Sequence, residues 1–264
     1  MEQSRIQTAF KALLLIGMGL FLYSRLANGT LFYYINERFA GFTMLAVFGL
    51  FLVGISYRFG GKQKTDEQDG EHEVHTDDHH HDHHDHHHSH QHALTFGGAF
   101  LVALPILLGI LVPPQPLGAS ALASREMNVN LGGSAMPAAV RDAMNKASTD
   151  KNILEWLQLF QTVPNPATEF AGEEANVKGF VFRDERFGED EFSLVRYTLS
   201  CCVADASVVA LVVQSPEAAT LENDQWIEVT GRFAAGEFDG TSLPILISER
   251  IVPTEVPNQP YLYP

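Results

Sequence analysis

Apolar residues fall into three long runs in the N-terminal half of this chain and five short ones in the C-terminal half, with a strongly polar interval inside the first group. The first run extends from about Ile6 to Tyr23, with an uncharged centre over Ala12–Ser24. The second, Phe39–Tyr57, is nineteen residues without a charge, and the third, Ala93–Val112, is twenty. A bilayer core about 30 Å thick needs roughly 20 residues of helix. The second and third runs fit directly, and the first fits if Lys11 snorkels to the interface. The pattern therefore predicts three transmembrane helices, at about 6–24, 39–57 and 93–112. Pro105 is expected to kink the third, and Pro113-Pro114 to stop it. The first run has a second reading, as a cleavable signal peptide with Arg5 and Lys11 as its basic flank and Ala27-Asn28-Gly29 as its cleavage site. Either reading leaves the topology of the remainder unchanged.

Beyond the third run, residues 114–150 read as a linker. They are rich in Gly, Ala, Ser and Pro as far as Ser134, and a short helix is expected over Pro137–Lys146. A soluble domain is expected over 151–264. Asn152–Phe160 places Ile153, Leu154, Leu157 and Phe160 on one helical face, the pattern of an amphipathic helix. The period then changes. Val177–Arg183, Phe192–Cys202 and Trp226–Phe233 alternate, Ser207–Gln214 is continuously apolar, and Leu243–Val252 is a fifth run. Five strands over about 171–252, with glycines at 179 and 231 where a tight coil needs kinks, predict an OB-like five-stranded barrel, with a two-sheet sandwich as the alternative. The fold class expected is thus α+β: three membrane helices followed by a small all-β domain. The Pro-rich tail from Pro253 to Pro264 is expected to be extended along an edge.

Charge sharpens this picture. The net formal charge is −15, and Asp66–Asp85 alone holds nine carboxylates. From Phe170 onward there are 16 Asp and Glu against 6 Lys and Arg, a net of −10. Such a surface repels phosphates, so nucleic acid is not expected as a partner, whereas cations are. Lys and Arg in the short flanks divide five (Arg5, Lys11, Arg58, Lys62, Lys64) against three (Arg25, Arg38, Arg125), favouring a cytoplasmic N-terminus and an exported C-terminal domain. The reverse orientation stays open on so small a margin.

All twelve histidines lie in the polar interval between the second and third runs: His72, His75, His79, His80, His81, His83, His84, His86, His87, His88, His90 and His92. Neutral imidazole is a ligand for Zn²⁺ and other divalent transition metals, and the interleaved carboxylates add attraction. The expected behaviour of residues 65–92 is that of a multivalent metal-binding loop; the plainer alternative is a solvated acidic linker. A second candidate is Ser200-Cys201-Cys202-Val203-Ala204-Asp205-Ala206, expected late in the second strand and in the turn that follows it. There Cys201, Cys202 and Asp205 are candidate soft-metal ligands. Alternatively, one cysteine belongs to the core and Asp205 to a turn. Alternation along a strand would turn one thiol inward and the other outward, and a vicinal disulfide would be strained, because neighbouring Cα atoms are only about 3.8 Å apart. Tyr33, Tyr34, Asn36, Glu37 and Arg38 form a polar-aromatic patch that reads as an interfacial belt or a partner contact. No phosphate-binding glycine loop, His-Glu-x-x-His or serine elbow occurs, so enzymatic activity is not expected.

Several strings resemble a bacterial family whose members are classed as permease subunits. They are Tyr33-Tyr34-Ile35-Asn36-Glu37-Arg38-Phe39, Gly179-Phe180-Val181-Phe182-Arg183, Arg196-Tyr197-Thr198-Leu199 running into Ser200–Ala206, Pro216-Glu217-Ala218 and Trp226-Ile227-Glu228-Val229-Thr230-Gly231. The Ser-Cys-Cys-x-Ala-Asp-Ala string is the most specific. The resemblance implies N-terminal membrane helices, a C-terminal domain of unknown function, a second permease subunit as partner and an inner-membrane location. Two functions fit the whole sequence: an accessory subunit of a two-component permease linked to divalent metal transport or sensing, or a membrane-anchored metal buffer or metallochaperone without transport.

A peptide spanning His72–His92 is expected to bind several Zn²⁺ or Ni²⁺ ions at about pH 7.5 and to lose them by about pH 5.5. Imidazole protonates as pH falls through roughly 6.5, and protonated nitrogen cannot ligate. Calorimetric titration checks this, and equal binding at both pH values would rule histidine out as the ligand.

Overall fold

The computed structural model describes residues 2–59, 96–124, 127–128 and 137–264. The twelve histidines and the loop over 65–92 lie outside the described residues. The chain divides into two compact units. One comprises Met1–Ser24 and Gly41–Pro113, the other Arg25–Ala40 and Pro114–Pro264.

The first unit is helical, with α1 (Glu2–Ala27), α2 (Ala40–Phe59) and α3 (Phe96–Leu111). Ile6–Ala27 and Glu37–Tyr57 are long and apolar enough to cross a membrane. Against the three spans expected from sequence, α3 falls short at 16 residues, because its described part begins at Phe96, inside the apolar run. Leu13, Phe42, Leu45, Leu52, Leu101 and Ile110 point outward and are exposed. A soluble protein's core helix would bury such side chains, whereas lipid-facing helices display them. α1 and α2 meet closely, with Gly19 against Phe51 and Gly54 against Ile16.

The second unit is built on a seven-stranded sheet. After β1 (Met127–Asn128) come helices α4 (Pro137–Asn145), α5 (Ile153–Phe160) and α6 (Pro166–Glu169). Strands β2 (Glu174–Phe182), β3 (Glu191–Thr198), β4 (Ser207–Gln214), β5 (Trp226–Phe238), β6 (Thr241–Pro253) and β7 (Tyr261–Leu262) follow. The five main strands fall where the alternating and apolar runs predict them, with β3 ending at Thr198, short of the expected Cys202. Their pairings form a circuit: β2 with β3, β3 with β4, β4 with β6, β6 with β5, and β5 back to β2. All are antiparallel except β4–β6. Two glycines permit close approach between strands. A Cβ at Gly179 would stand 2.7 Å from the Val195 carbonyl oxygen, and one at Gly231 would collide with the Ile247 carbonyl where the β5–β6 register shifts.

One core gathers α5 against the sheet, with Ile153, Trp156, Leu157 and Phe160 among Val177, Leu194, Val209, Ile227, Phe233 and Leu246. The Trp156 and Phe233 rings lie 4.8 Å apart, edge to face. α5 begins at Asn152, whose side chain accepts from the Glu155 N–H at 3.1 Å while the Glu155 carboxylate accepts from the Asn152 N–H at 2.8 Å. A second core, with Phe180, Val195, Tyr197, Val208, Ala210, Trp226 and Tyr261, contains further side chains of β3 and β4. Burial on both faces explains why β4 is apolar without alternation.

That second core also corrects the expectation of a linker over 114–150. Leu122 is buried in it, with Leu117, Ala119 and Ala121 packed alongside. β1 pairs with β4, Met127 opposite Val208, and Ala143 of α4 is buried in the first core. The apolar outer surface of β3 and β4 needs a cover, and a Gly-, Ala- and Pro-rich stretch lies flat enough to provide it. At the other end the tail is edge-lying, as expected, because β7 runs parallel to β3, pairing Tyr261 with Tyr197.

Candidate functional site

Two of the strings picked out from the sequence, 33–39 and 196–206, meet in the second unit. The connection Arg25–Ala40 belongs to that unit although it joins α1 to α2 in the chain. Gly29, at φ 72°, turns the chain out of α1 into a 3-10 turn at Thr30–Tyr33. Past Tyr34, which closes that turn, Ile35 forms an antiparallel bridge with Cys202, and Asn36 is extended. Asn36 N–H donates to the Cys201 carbonyl at 2.9 Å, and Val203 N–H donates to the Tyr34 carbonyl at 3.0 Å.

Asn36 is 2% exposed, and its carboxamide is fully engaged. Nδ2 donates to the carbonyls of Leu199 and Ser200, both at 3.1 Å. Oδ1 accepts from Arg38 N–H at 3.0 Å and caps the next turn, Glu37–Phe39. One side chain therefore fixes the following turn of its own segment and the carbonyls of a partner loop 163 residues away.

The cysteine loop is set by Asp205. Its carboxylate accepts from the N–H groups of Ser200 at 3.2 Å, Cys201 at 2.7 Å and Cys202 at 3.4 Å. This turns the backbone after β3 so that the carbonyls of 199–201 face Asn36. The expectation that both cysteines lie in the second strand is thus corrected: β3 ends at Thr198, and the pair sits in a loop. Neither thiol belongs to the core; Cys201 is exposed, Cys202 is half-buried, and both are free. Partial desolvation, then the neighbouring Cys202 and Asp205, push the Cys201 thiol above its ordinary value. Among the described residues no group of three or more His, Cys, Asp or Glu could hold a metal ion. Asp205 has both oxygens turned to backbone amides, the turn role weighed against metal ligation in the sequence.

The C-terminal tail completes the site, gripped by Arg196 and reaching residues 33–38 through Gln259 and Tyr261, tail residues that sequence reasoning did not single out. Arg196 is buried over the Trp226 ring, 5.2 Å from its centre. Its guanidinium donates to the carbonyls of Pro260 at 2.9 Å, Gln259 at 2.8 Å and Lys178 at 3.3 Å. Burial lowers its pKa to about 10, which leaves it charged at neutral pH. The Tyr261 hydroxyl donates to the Tyr33 carbonyl at 3.1 Å and accepts from Leu117 N–H at 2.9 Å. Gln259 donates to the Glu37 carboxylate, and Arg38 donates to the Pro264 carbonyl at 3.3 Å. Burial, then Glu37, push the Tyr263 phenol up to about 12. Tyr33, Tyr34, Asn36, Glu37 and Arg38, read from sequence as an interfacial belt or partner patch, are thus largely engaged with this chain's own C-terminal unit.

Two family profiles together match most of the chain. Residues 10–128 match the family profile described as the DUF1980 N-terminal domain, and residues 133–264 match the DUF1980 C-terminal domain. UPF0703 protein YcgQ of Bacillus subtilis is 25% identical over 284 aligned positions, spanning 96% of this chain and 99% of that protein. A Streptococcus mutans protein is 22% identical over 208 positions, spanning 65% of this chain and 74% of its own length. Its provisional name is two-component membrane permease complex subunit.

Asn36→Asp is expected to open this site. The change removes two buried N–H donors and sets a carboxylate against the Leu199 and Ser200 carbonyls, a cost on the order of 2 kcal/mol or more. In the full chain, maleimide labelling of Cys202 should accelerate by about tenfold or more while labelling of exposed Cys201 is unchanged, as read by peptide mass mapping. An unaltered Cys202 rate would contradict the assignment.

Proposed function

The chain belongs to the DUF1980 family, and from that premise we propose that it is the accessory subunit of a two-component membrane permease. The observation that carries this reading is the name of the Streptococcus mutans relative, together with two apolar helices long enough to cross a membrane. No ionisable residue lies near the middle of any apolar run, where an ion path usually has one. The conducting path is therefore assigned to the partner subunit, with this chain in a supporting role.

The proposed topology has three crossings. Arg25–Ala40 and Pro114–Pro264 fold as one unit and so share a side of the membrane. The chain leaves that unit at Ala40 and re-enters it at Pro114, which demands an even number of crossings in between. α2 supplies one, and the apolar run Ala93–Val112 containing α3 supplies the other. The Lys and Arg distribution then favours an exported C-terminal unit and a cytoplasmic connection over 60–95. For that unit we propose an OB-like five-stranded barrel, supported by the closed circuit of pairings and the two close strand approaches.

The cargo or signal proposed is a divalent cation, Zn²⁺ first. This rests on the twelve histidines and the acidic composition around them. Cys201, Cys202 and Asp205 are not part of the proposal.

Affinity purification of the full chain from native membranes should co-isolate a larger permease subunit, and the N- and C-termini should label from opposite sides of sealed vesicles. A chain recovered alone but loaded with metal would favour the buffer reading. Termini labelled from the same side would exclude three crossings.

A further inference from the structure

Two segments of the C-terminal unit adjoin membrane helices in the chain. Residues 28–39 lie between α1 and α2, and residues 114–118 follow α3. Both reach the same phenolic oxygen. Tyr261 accepts a hydrogen bond from Leu117 N–H at 2.9 Å and donates one to the Tyr33 carbonyl at 3.1 Å. We infer that the Tyr261 hydroxyl is a coupling joint, through which displacement of either membrane-adjoining segment loosens the other. This goes beyond the permease reading and does not depend on it.

The phenol is suited to the task because its own position is over-determined. Its ring is 2% exposed within the second core. Its backbone pairs with Tyr197, and the Leu262 carbonyl accepts from Leu199 N–H at 3.0 Å. The two carbonyls before it, of Gln259 and Pro260, are gripped by the buried Arg196 guanidinium. A hydroxyl that donates and accepts at once in a poorly solvated place also strengthens each bond through the other. Burial pushes the phenol pKa above its ordinary value, so the donating proton is retained throughout the physiological range. Coupling of this kind is reciprocal: what the first segment does to the second, the second does to the first.

The structure supplies its own control. Tyr197 donates to the Gly118 carbonyl at 2.8 Å, and Asp224 accepts from Ala119 N–H. Both contacts hold the segment after α3 and neither reaches residues 28–39.

Hydrogen–deuterium exchange on the full chain in nanodiscs tests the joint. Tyr261→Phe keeps the ring and removes both bonds. It should speed exchange by about tenfold in 29–36 and in 117–122 together, the size expected for one lost hydrogen bond at each. Tyr197→Phe, which leaves both Tyr261 bonds in place, should speed exchange most in 117–122 and to a smaller degree, through the joint, in 29–36. Leu117→Pro, which deletes the donor, should speed exchange in 29–36 although it alters nothing there. Acceleration of only one segment in Tyr261→Phe, or unchanged exchange at 29–36 in Leu117→Pro, would overturn the inference. Amide protection in β3 and β4 reveals whether a variant has unfolded. If Tyr261→Phe has, Leu117→Pro decides by itself.

Discussion

A carboxamide buried among backbone carbonyls has few ways to be satisfied, and Asn36 uses both of its N–H donors on Leu199 and Ser200. An unpaired donor or acceptor there would cost about 1–3 kcal/mol, so the arrangement holds only if segment and loop are presented together. Each side is prepared separately. Asn36 is oriented by capping the turn that leads into α2. The carbonyls are oriented by Asp205, which gathers three successive N–H groups on the opposite side of their loop. The remaining contacts of the site, including the Ile35–Cys202 bridge and the Tyr261 bonds, accompany this fit.

The consequence is that a connection between two apolar helices is a structural part of the C-terminal unit. The segment after α3 is held as well, by Tyr197, Asp224 and Tyr261 and by the burial of Leu122. The C-terminal unit therefore includes, and holds by its own contacts, the chain segments that precede α2 and follow α3. Such an arrangement is compatible with the accessory role proposed above.

Much of the fold was legible because its elements are periodic. Alternation located β2, β3 and β5, the continuous apolar run located β4, and the helical spacing of Ile153, Leu154, Leu157 and Phe160 located α5. The expected end of the second strand at Cys202 overshot, because apolar character continues to Leu199 while Asp205 diverts the backbone into a loop. The linker over 114–150 misled for a related reason: small residues and prolines signal mobility in isolation, yet they also lie flat over an apolar surface. The site was legible only in its parts. Tyr33–Phe39 and Ser200–Ala206 both stood out, but a contact across some 160 residues leaves no local trace in one sequence. Arg196 and Tyr261 left less still, because a strand arginine and a tail tyrosine are ordinary residues until their partners are known. The histidines are the reverse case, conspicuous in sequence and outside the described residues.

The central claim is that residues 33–37 are seated on the cysteine loop in the intact protein, and the Ile35–Cys202 bridge offers a direct test. Opposed residues in an antiparallel pair bring their Cα atoms to about 4.5–5.5 Å, within the range a disulfide spans. Ile35→Cys in the full membrane-embedded chain, with Cys201→Ala to remove the competing thiol, should on mild oxidation form a disulfide between position 35 and Cys202. Mass mapping of the linked peptide would identify it. Efficient cross-linking in the native membrane that is lost on denaturation is the predicted result. Absence of the link in the native chain, or its appearance only after unfolding, would contradict the account.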